Sequence, residues 1–474
     1  MSRTIRDIPL WHETASALAQ RIRSRELSAV EVMEAHLARI ERVNPELNAI
    51  VTLDADGARS AAAAADRALA AGRAPGPLHG LPIAVKDLED TAGMRTTYGS
   101  TIYSDHVPAE DALLVARLRR AGAIVIGKTN TPEFGAGAQT FNRVFGATRN
   151  PYDRSRTPGG SSGGAAAAVA AGMVPFADGS DLGASIRNPA AFCNVVGLRP
   201  SPGRVPAVPA PHIWDPLSVL GPIARTVADA TLLLRALCGP DARAPLSLGD
   251  SPEAFAIDLR SDPADLRIAW SRNLGDLPVD PEVTAVLEPH RATFAAMGCV
   301  VEEVEPDLRG ADEAFETLRA VGYAQAFAEL LETHPDELKE TVAWNTRVGL
   351  ALSGEQVARA LTLQARAFHT MRELLDRYDA LALPVSAVAP FSVDDEWVRE
   401  VAGVPLHSYI EWMRTCSRIT VTAHPAISVP AGFTSDGLPV GLQLVGRFRG
   451  EVALLRLAAA FEESTKIGLR RPAL

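Results

Sequence analysis

Apolar positions recur along the chain at two periods, and the switching between them predicts its elements. Val30, Met33, Leu37 and Ile40 stand at helical spacing behind Ser28 and Glu31, whose Ser-x-x-Glu order is a capping box. Ala55 to Ala71 predicts a second, Ala-rich helix, closed by Gly72 and Pro75. Leu81 to Lys86 is a short, nearly continuous apolar run ending on a lysine, the pattern of a buried strand. A helix over Ala112 to Ala121 and a strand over Ala123 to Ile126 follow. Strand, helix and strand in that order predict a parallel βαβ unit. The order returns at Leu266 to Trp270, Pro281 to Ala296 and Cys299 to Val304. Thr226 to Leu237 is amphipathic helix, Gly310 to Leu375 is mostly helical, and Ala380 to Val385 is a strand. Ile427 to Phe433 and Val440 to Val445 flank Ser435-Asp436-Gly437, a hairpin signal. A helix over Glu451 to Glu463 comes last. No internal repeat and no linker divides the chain. The expectation is one α/β domain over residues 1–474, with a polar, Pro-rich surface loop at about 240–265.

One segment departs from this pattern. Residues 158–203 hold nine glycines and five prolines, and enclose a helix of small residues from Gly163 to Ala171. Such a helix can be packed on all sides by backbone. The chain has 474 residues and a formal charge of −10, with no run of Lys or Arg. That balance argues against nucleic acid or an anionic membrane surface as a partner. No stretch of about 18 apolar residues exists to span a membrane. Cys193, Cys238, Cys299 and Cys416 are far apart and form no CxxC pair, so neither a disulfide framework nor a metal site is expected. Met1 to Leu10 lacks the apolar stretch of a leader. A soluble, cytoplasmic enzyme acting on a small molecule is the expectation.

Three motifs carry candidate chemistry. Gly122 to Thr129 fits GxxxxGK[ST], but its four middle residues are themselves a strand, and a phosphate loop needs flexible backbone there. Gly160 to Gly164 fits GxSxG, the nucleophile elbow of α/β-hydrolases, with Ser162 as nucleophile. An elbow needs an apolar strand before it, and Arg154 to Pro158 is not one. The third pattern is Lys86 with Ser161, Ser162 and Ser185. A serine hydroxyl needs a base within reach, and a lysine kept neutral by burial can serve. Leu182-Gly183-Ala184-Ser185 is a tight turn able to aim backbone N–H groups at an oxyanion. From spacing alone, a surface lysine and turn-filling serines stand as an equal alternative.

At these residues the chain closely resembles the amidase signature family. The matching stretches are Gly80 to Asp87, Gly127 to Asn130, Thr157 to Gly164, Gly179 to Cys193, Gly197 to Pro200, Pro425 to Pro430 and Gly437 to Gln443. The resemblance covers nearly the whole chain and removes the bland alternative. It implies the amidase signature fold, an α/β architecture with a large mixed β-sheet covered by helices on both faces. The signature core would lie at about 78–230 and a helical, pocket-lining region at 310–420. It implies a Ser–cis-Ser–Lys triad of Ser185 as nucleophile, Ser161 in a cis peptide after Gly160 as proton relay, and Lys86 as base. The oxyanion amides would be those of Leu182, Gly183, Ala184 and Ser185, with Ser162, Ser180, Asp181 and Arg187 bracing the site. Many relatives have two glycines before the nucleophile. Here Gly183-Ala184 narrows the turn.

An amidohydrolase needing no cofactor is implied, acting on a carboxylic amide, aryl ester or carbamate, with a homodimer as the assembly to test. A pocket of Gly135, Ala136, Tyr409 and Trp412 would suit an apolar or aryl substrate. Two other functions stand beside this one. They are the glutaminase subunit of a tRNA-dependent amidotransferase, whose usual Tyr-Asp-Gly-x-Arg stretch is missing here, and an α/β-hydrolase-type esterase using Ser162.

Overall fold

The computed structural model describes residues 8–474, so the expectation for Met1 to Leu10 lies largely outside the described residues. Strands β1 (Ile50–Leu53), β2 (Pro82–Lys86) and β3 (Ile124–Thr129) form a small sheet in the order β1-β3-β2. β2 and β3 run parallel, with the Leu113–Arg120 helix as crossover, which is the expected βαβ unit. β1 adds antiparallel to β3.

Eight further strands build the main sheet: β4 (Phe176–Asp181), β5 (Val196–Arg199), β6 (Val219–Ala224), β7 (Arg267–Trp270), β8 (Val300–Glu303), β9 (Ala380–Pro384), β10 (Ala426–Phe433) and β11 (Pro439–Gly446). Their order is β8-β7-β9-β11-β10-β5-β6-β4. β7 pairs in parallel with β8 and β9, and the remaining pairs are antiparallel, so the sheet is mixed. Side chains alternate across a strand, and the two faces fill two separate cores. Ala380 and Ala382 of β9 pack with Leu18, Leu233, Leu455 and Phe461 from helices on one side. Leu381 and Leu383 pack with Phe315, Met371, Leu374 and Ile419 from helices on the other. Helices therefore cover both faces, as the resemblance implies.

The small-residue segment forms the Gly163–Ala170 helix, and every one of its residues is buried. A methyl group on Gly164 would lie 2.4 Å from the Asn130 nitrogen and 2.8 Å from the Ala49 oxygen, so only glycine lets the backbones approach this closely.

Two expectations needed revision. Pro281 to Ala296 is two helices, Pro281–Leu287 and His290–Ala296, because Pro289 has no N–H to continue the ladder. Gly310 to Leu375 is mostly helical, as expected, in three helices, Ala311–Thr333, Glu340–Leu350 and Gly354–Leu375; the last starts at a Ser353/Gln356 capping box. The 240–265 segment is not wholly a surface loop. Leu248 and Phe255 are buried, and the Arg204 guanidinium lies 5.2 Å from the Phe255 ring centre.

Candidate active site

β2 ends on Lys86, where the side chain turns toward polar partners. The Lys86 amide donates to Asp178 Oδ1 at 3.0 Å, which pins the end of β2 to β4. Lys86 Nζ donates to Ser161 Oγ at 2.7 Å, Ser162 Oγ at 2.9 Å and Ser180 Oγ at 2.9 Å. Ser161 and Ser162 come from the turn before the Gly163–Ala170 helix, and Ser180 from β4. The Gly160–Ser161 peptide is cis. The Ser162 amide donates to the Ser185 carbonyl at 3.1 Å, which joins that turn to the 182–185 loop. Ser185 is 9% exposed, against 2% for Ser161 and none for Ser162.

Burial pushes Lys86 down to about 7, with the carboxylates of Asp178, Glu89 and Asp181 opposing the shift. No carboxylate among the described residues is bonded to the ammonium. Its three contacts are hydroxyls, which accept hydrogen bonds from a charged lysine and donate one to a neutral one. Burial also pushes Glu89 up to about 7, helped by Asp178.

The loop after β4 is braced from below. Asp181 Oδ1 accepts from Arg187 Nη2 at 2.8 Å and Arg199 Nη1 at 3.3 Å. Oδ2 accepts from the Ile186 amide at 3.1 Å and from Arg187 Nε at 3.0 Å. Burial alone would raise the Asp181 carboxyl, but the two guanidinium groups and the amide hold it well below the usual range. Arg187 reaches further, to Gly183 O, Cys416 O, Gln443 Oε1 and Thr420 Oγ1. None of these bonds uses an N–H group of residues 182–185. The amides of Leu182, Gly183, Ala184 and Ser185 meet no acceptor among the described residues. Neither Gly183 nor Ala184 takes a positive φ. The Ala184 methyl is buried in the second core, so the departure from two glycines leaves the turn intact. Position 183 is the tighter of the two, since a Cβ there would stand 3.0 Å from Phe315 Cζ.

The four expected pocket residues are placed unevenly. Gly135 lies against the serines: a Cβ there would be 3.5 Å from Ser161 Oγ. Ala136 packs with Tyr323, Leu338 and Val342. The Tyr409 hydroxyl accepts from Arg319 and Asn345. Trp412 is 2% exposed, with ring centres 5.4 Å from Phe391 and 6.3 Å from Phe192, as a core residue. What links Gly135 to the 182–185 loop is one stripe of the Ala311–Thr333 helix. Phe315 touches Gly183, Arg319 holds Tyr409, Tyr323 packs with Ala136, and Phe327 lies 4.8 Å from Phe134. These four stand four residues apart, one face of a helix. That spacing was present in the sequence as the signal for them. A cavity of about 410 Å³ lies behind the Gly135 turn, lined by Glu133, Gln139, Phe141, Arg143, Lys339 and Glu396. Ser161 and Ser185 do not line it.

The rejected motifs have other places. Lys128 is buried in β3 and donates to Glu89 O and Thr91 Oγ1, where no phosphate could reach its amides. Ser162 precedes a helix, but only an isolated bridge at Arg156 stands where an elbow needs a strand. Among the described residues no histidine is bonded to Ser162. Nor is any group of three or more His, Cys, Asp or Glu residues placed to share a metal ion.

The site is thus a buried lysine under three serines, carried by a mixed sheet with helices on both faces. The chain superposes on a bacterial aryl acylamidase with a TM-score of 0.91, at 30% identity over 98% of this chain and 100% of that one. It superposes on a 6-aminohexanoate cyclic dimer hydrolase with a TM-score of 0.88, at 29% identity over 98% and 99%. In sequence it is 38% identical to an acylamidase of Rhodococcus erythropolis over 97% of both chains. It is 37% identical to a component of the glutamyl-tRNA(Gln) amidotransferase of Moorella thermoacetica over 98% and 99%. The amidase family profile matches residues 31–455, and the chain belongs to the amidase family. It is an amidase, a hydrolase of carbon–nitrogen amide bonds. No helix among the described residues is long and apolar enough to cross a membrane.

Proposed function

We propose that the chain hydrolyses a small carboxylic amide, with aryl amides favoured, through an acyl-enzyme on Ser185. The observation that carries this is the 2.7 Å contact between Ser161 Oγ and a lysine whose burial brings it to about 7. At neutral pH about half of such a lysine is free amine, a usable base. Ser185 Oγ attacks the carbonyl carbon and gives its proton to Ser161 Oγ, which passes its own proton to Lys86 Nζ. The carbonyl oxygen becomes an oxyanion held by the amides of residues 182–185. Lys86 returns the proton through Ser161 to the leaving nitrogen, the C–N bond breaks and the amine departs. Water then attacks the ester by the same relay and releases the acid. Ser162 and Ser180 hold Lys86 in line, and Asp181 with Arg187 fixes the loop. The likeness to aryl acylamidase supports an aryl amide. An active-serine probe and an anilide panel test the reading, with labelling expected at Ser185.

The likeness to components of glutamyl-tRNA(Gln) amidotransferases supports a second reading, in which the chain is the glutaminase of such a complex. Glutamine-dependent ammonia release and a co-purifying protein are its test. Elution as a dimer in size-exclusion chromatography tests the homodimer.

A further inference from the structure

Around Arg319 two hydroxyl protons meet no acceptor among the described residues. A guanidinium can only donate. Arg319 donates to the Tyr323 hydroxyl at 2.9 Å, to the Tyr409 hydroxyl at 2.6 Å and to Asn345 Oδ1. The last bond settles which way the Asn345 amide faces, because only its oxygen can accept. Asn345 Nδ2 then donates to the Thr341 carbonyl and, at 2.6 Å, to Tyr409. The Tyr409 oxygen thus accepts twice, from groups that take nothing back. Each tyrosine hydroxyl also has a proton of its own to donate. Neither the Tyr409 nor the Tyr323 proton meets an acceptor among the described residues. Yet Arg319, Tyr409 and Tyr323 are 4%, 6% and 7% exposed. Arg319 also has no bonded carboxylate among the described residues. Glu316, whose charge it feels, is bonded to Arg414. Two buried O–H donors therefore share one buried cation, and no acceptor among the described residues satisfies them.

Their place bears on the reaction. One turn before Arg319, Phe315 lies against Gly183 of the 182–185 loop. One turn after it, Tyr323 packs with Ala136, next to the Gly135 that faces Ser161. The cluster is bracketed between the 182–185 loop and the Gly135 turn that faces Ser161.

We infer that Tyr409 and Tyr323, oriented by Arg319 and Asn345, form a subsite for a carboxylate carried by the substrate away from its scissile bond. The inference rests on the amidase reading above for its placement and names the substrate class: amides with a second, anionic group. Two phenol protons match two carboxylate oxygens, and the guanidinium behind them supplies the charge.

The test uses binding to the full-length Ser185→Ala variant by calorimetry, with adipanilic acid against hexananilide and 4-acetamidobenzoate against acetanilide. These pairs place the carboxylate on the acyl and the leaving side in turn. In one pair the acid should bind roughly 10- to 100-fold tighter than its neutral partner. Adding Tyr409→Phe, which keeps the ring, should cut that ratio about tenfold. A merely structural tyrosine would weaken both partners alike and leave the ratio unmoved. Equal binding in both pairs, or an unmoved ratio, overturns the inference. Failure of the Ser185 chemistry is seen separately, as anilide turnover surviving in Ser185→Ala while the acid preference remains.

Discussion

Lys86 and Asp181 lie close enough for their charges to interact, are both fully buried, and come out opposite. Asp181 is met by two guanidinium groups and a backbone amide, so its charge is locked in. Lys86 is met by three neutral hydroxyls, so burial prevails and its charge becomes conditional. Removal from water penalises both ions; the charge of the partners decides whether the result is a brace or a base. The carboxylates that do act on Lys86 act at a distance and pull only partway back.

The sharpest way to break this comparison is at the group the lysine would serve. Ser185→Ala should lower kcat by roughly 10⁴-fold or more, with loss of probe labelling and an unchanged circular dichroism spectrum. Lys86→Arg comes next. Arginine keeps the charge but cannot release a proton, so kcat should fall roughly 10²- to 10⁴-fold in a folded protein. Near-normal turnover there would show that positive charge, not a free amine, is what the site needs. On the other side of the comparison, Asp181→Asn leaves Arg187 and Arg199 buried without a counter-charge. Denaturant unfolding should register a loss of about 3–5 kcal/mol, and ordinary stability would mean that the brace is dispensable.

Smaller effects sharpen the picture. Gly183→Ala presses a methyl on Phe315 and should cost about tenfold in kcat, by shifting the loop a few tenths of an ångström. The pH profile of kcat/KM should rise through about pH 7 and level off above it, because the proposed relay needs the neutral lysine. Ser180→Ala removes an acceptor that favours the charged form. Its midpoint should therefore move to lower pH, by roughly half a unit to one unit. A move to higher pH would mean that the hydroxyl favours the neutral amine instead.

The strand ending on Lys86, the glycine run around Ser161 and the tight turn at Ser185 were legible as short, local patterns, but their spacing alone left surface and turn roles equally open, and only the family resemblance joined them into one site. The parallel β2–β3 pair and the β10–β11 hairpin were likewise legible as local patterns. What could not be read is what distant elements bring to one place. Nothing near Trp412 along the chain marks it as core; only its packing on Phe192 and Phe391 does so. Arg319, Asn345 and Tyr409 come from three separate helices or turns, and their hydrogen-bond stoichiometry exists only once they meet. Pro289 was visible in the sequence, yet the periodicity around it suggested an unbroken helix.

The Gly163–Ala170 helix has one more consequence. Apart from Val169 it contains only glycine and alanine, which have no side-chain rotamers to lose on folding or regain on warming. The turn that carries Ser161 and Ser162 is therefore mounted on a part of the protein with almost no side-chain entropy of its own. Warming therefore offers this mount less side-chain entropy to gain than it offers the Ala311–Thr333 helix, with its long and aromatic side chains. The lysine–serine contacts should accordingly stay in register on warming for as long as the helix beneath them stays packed.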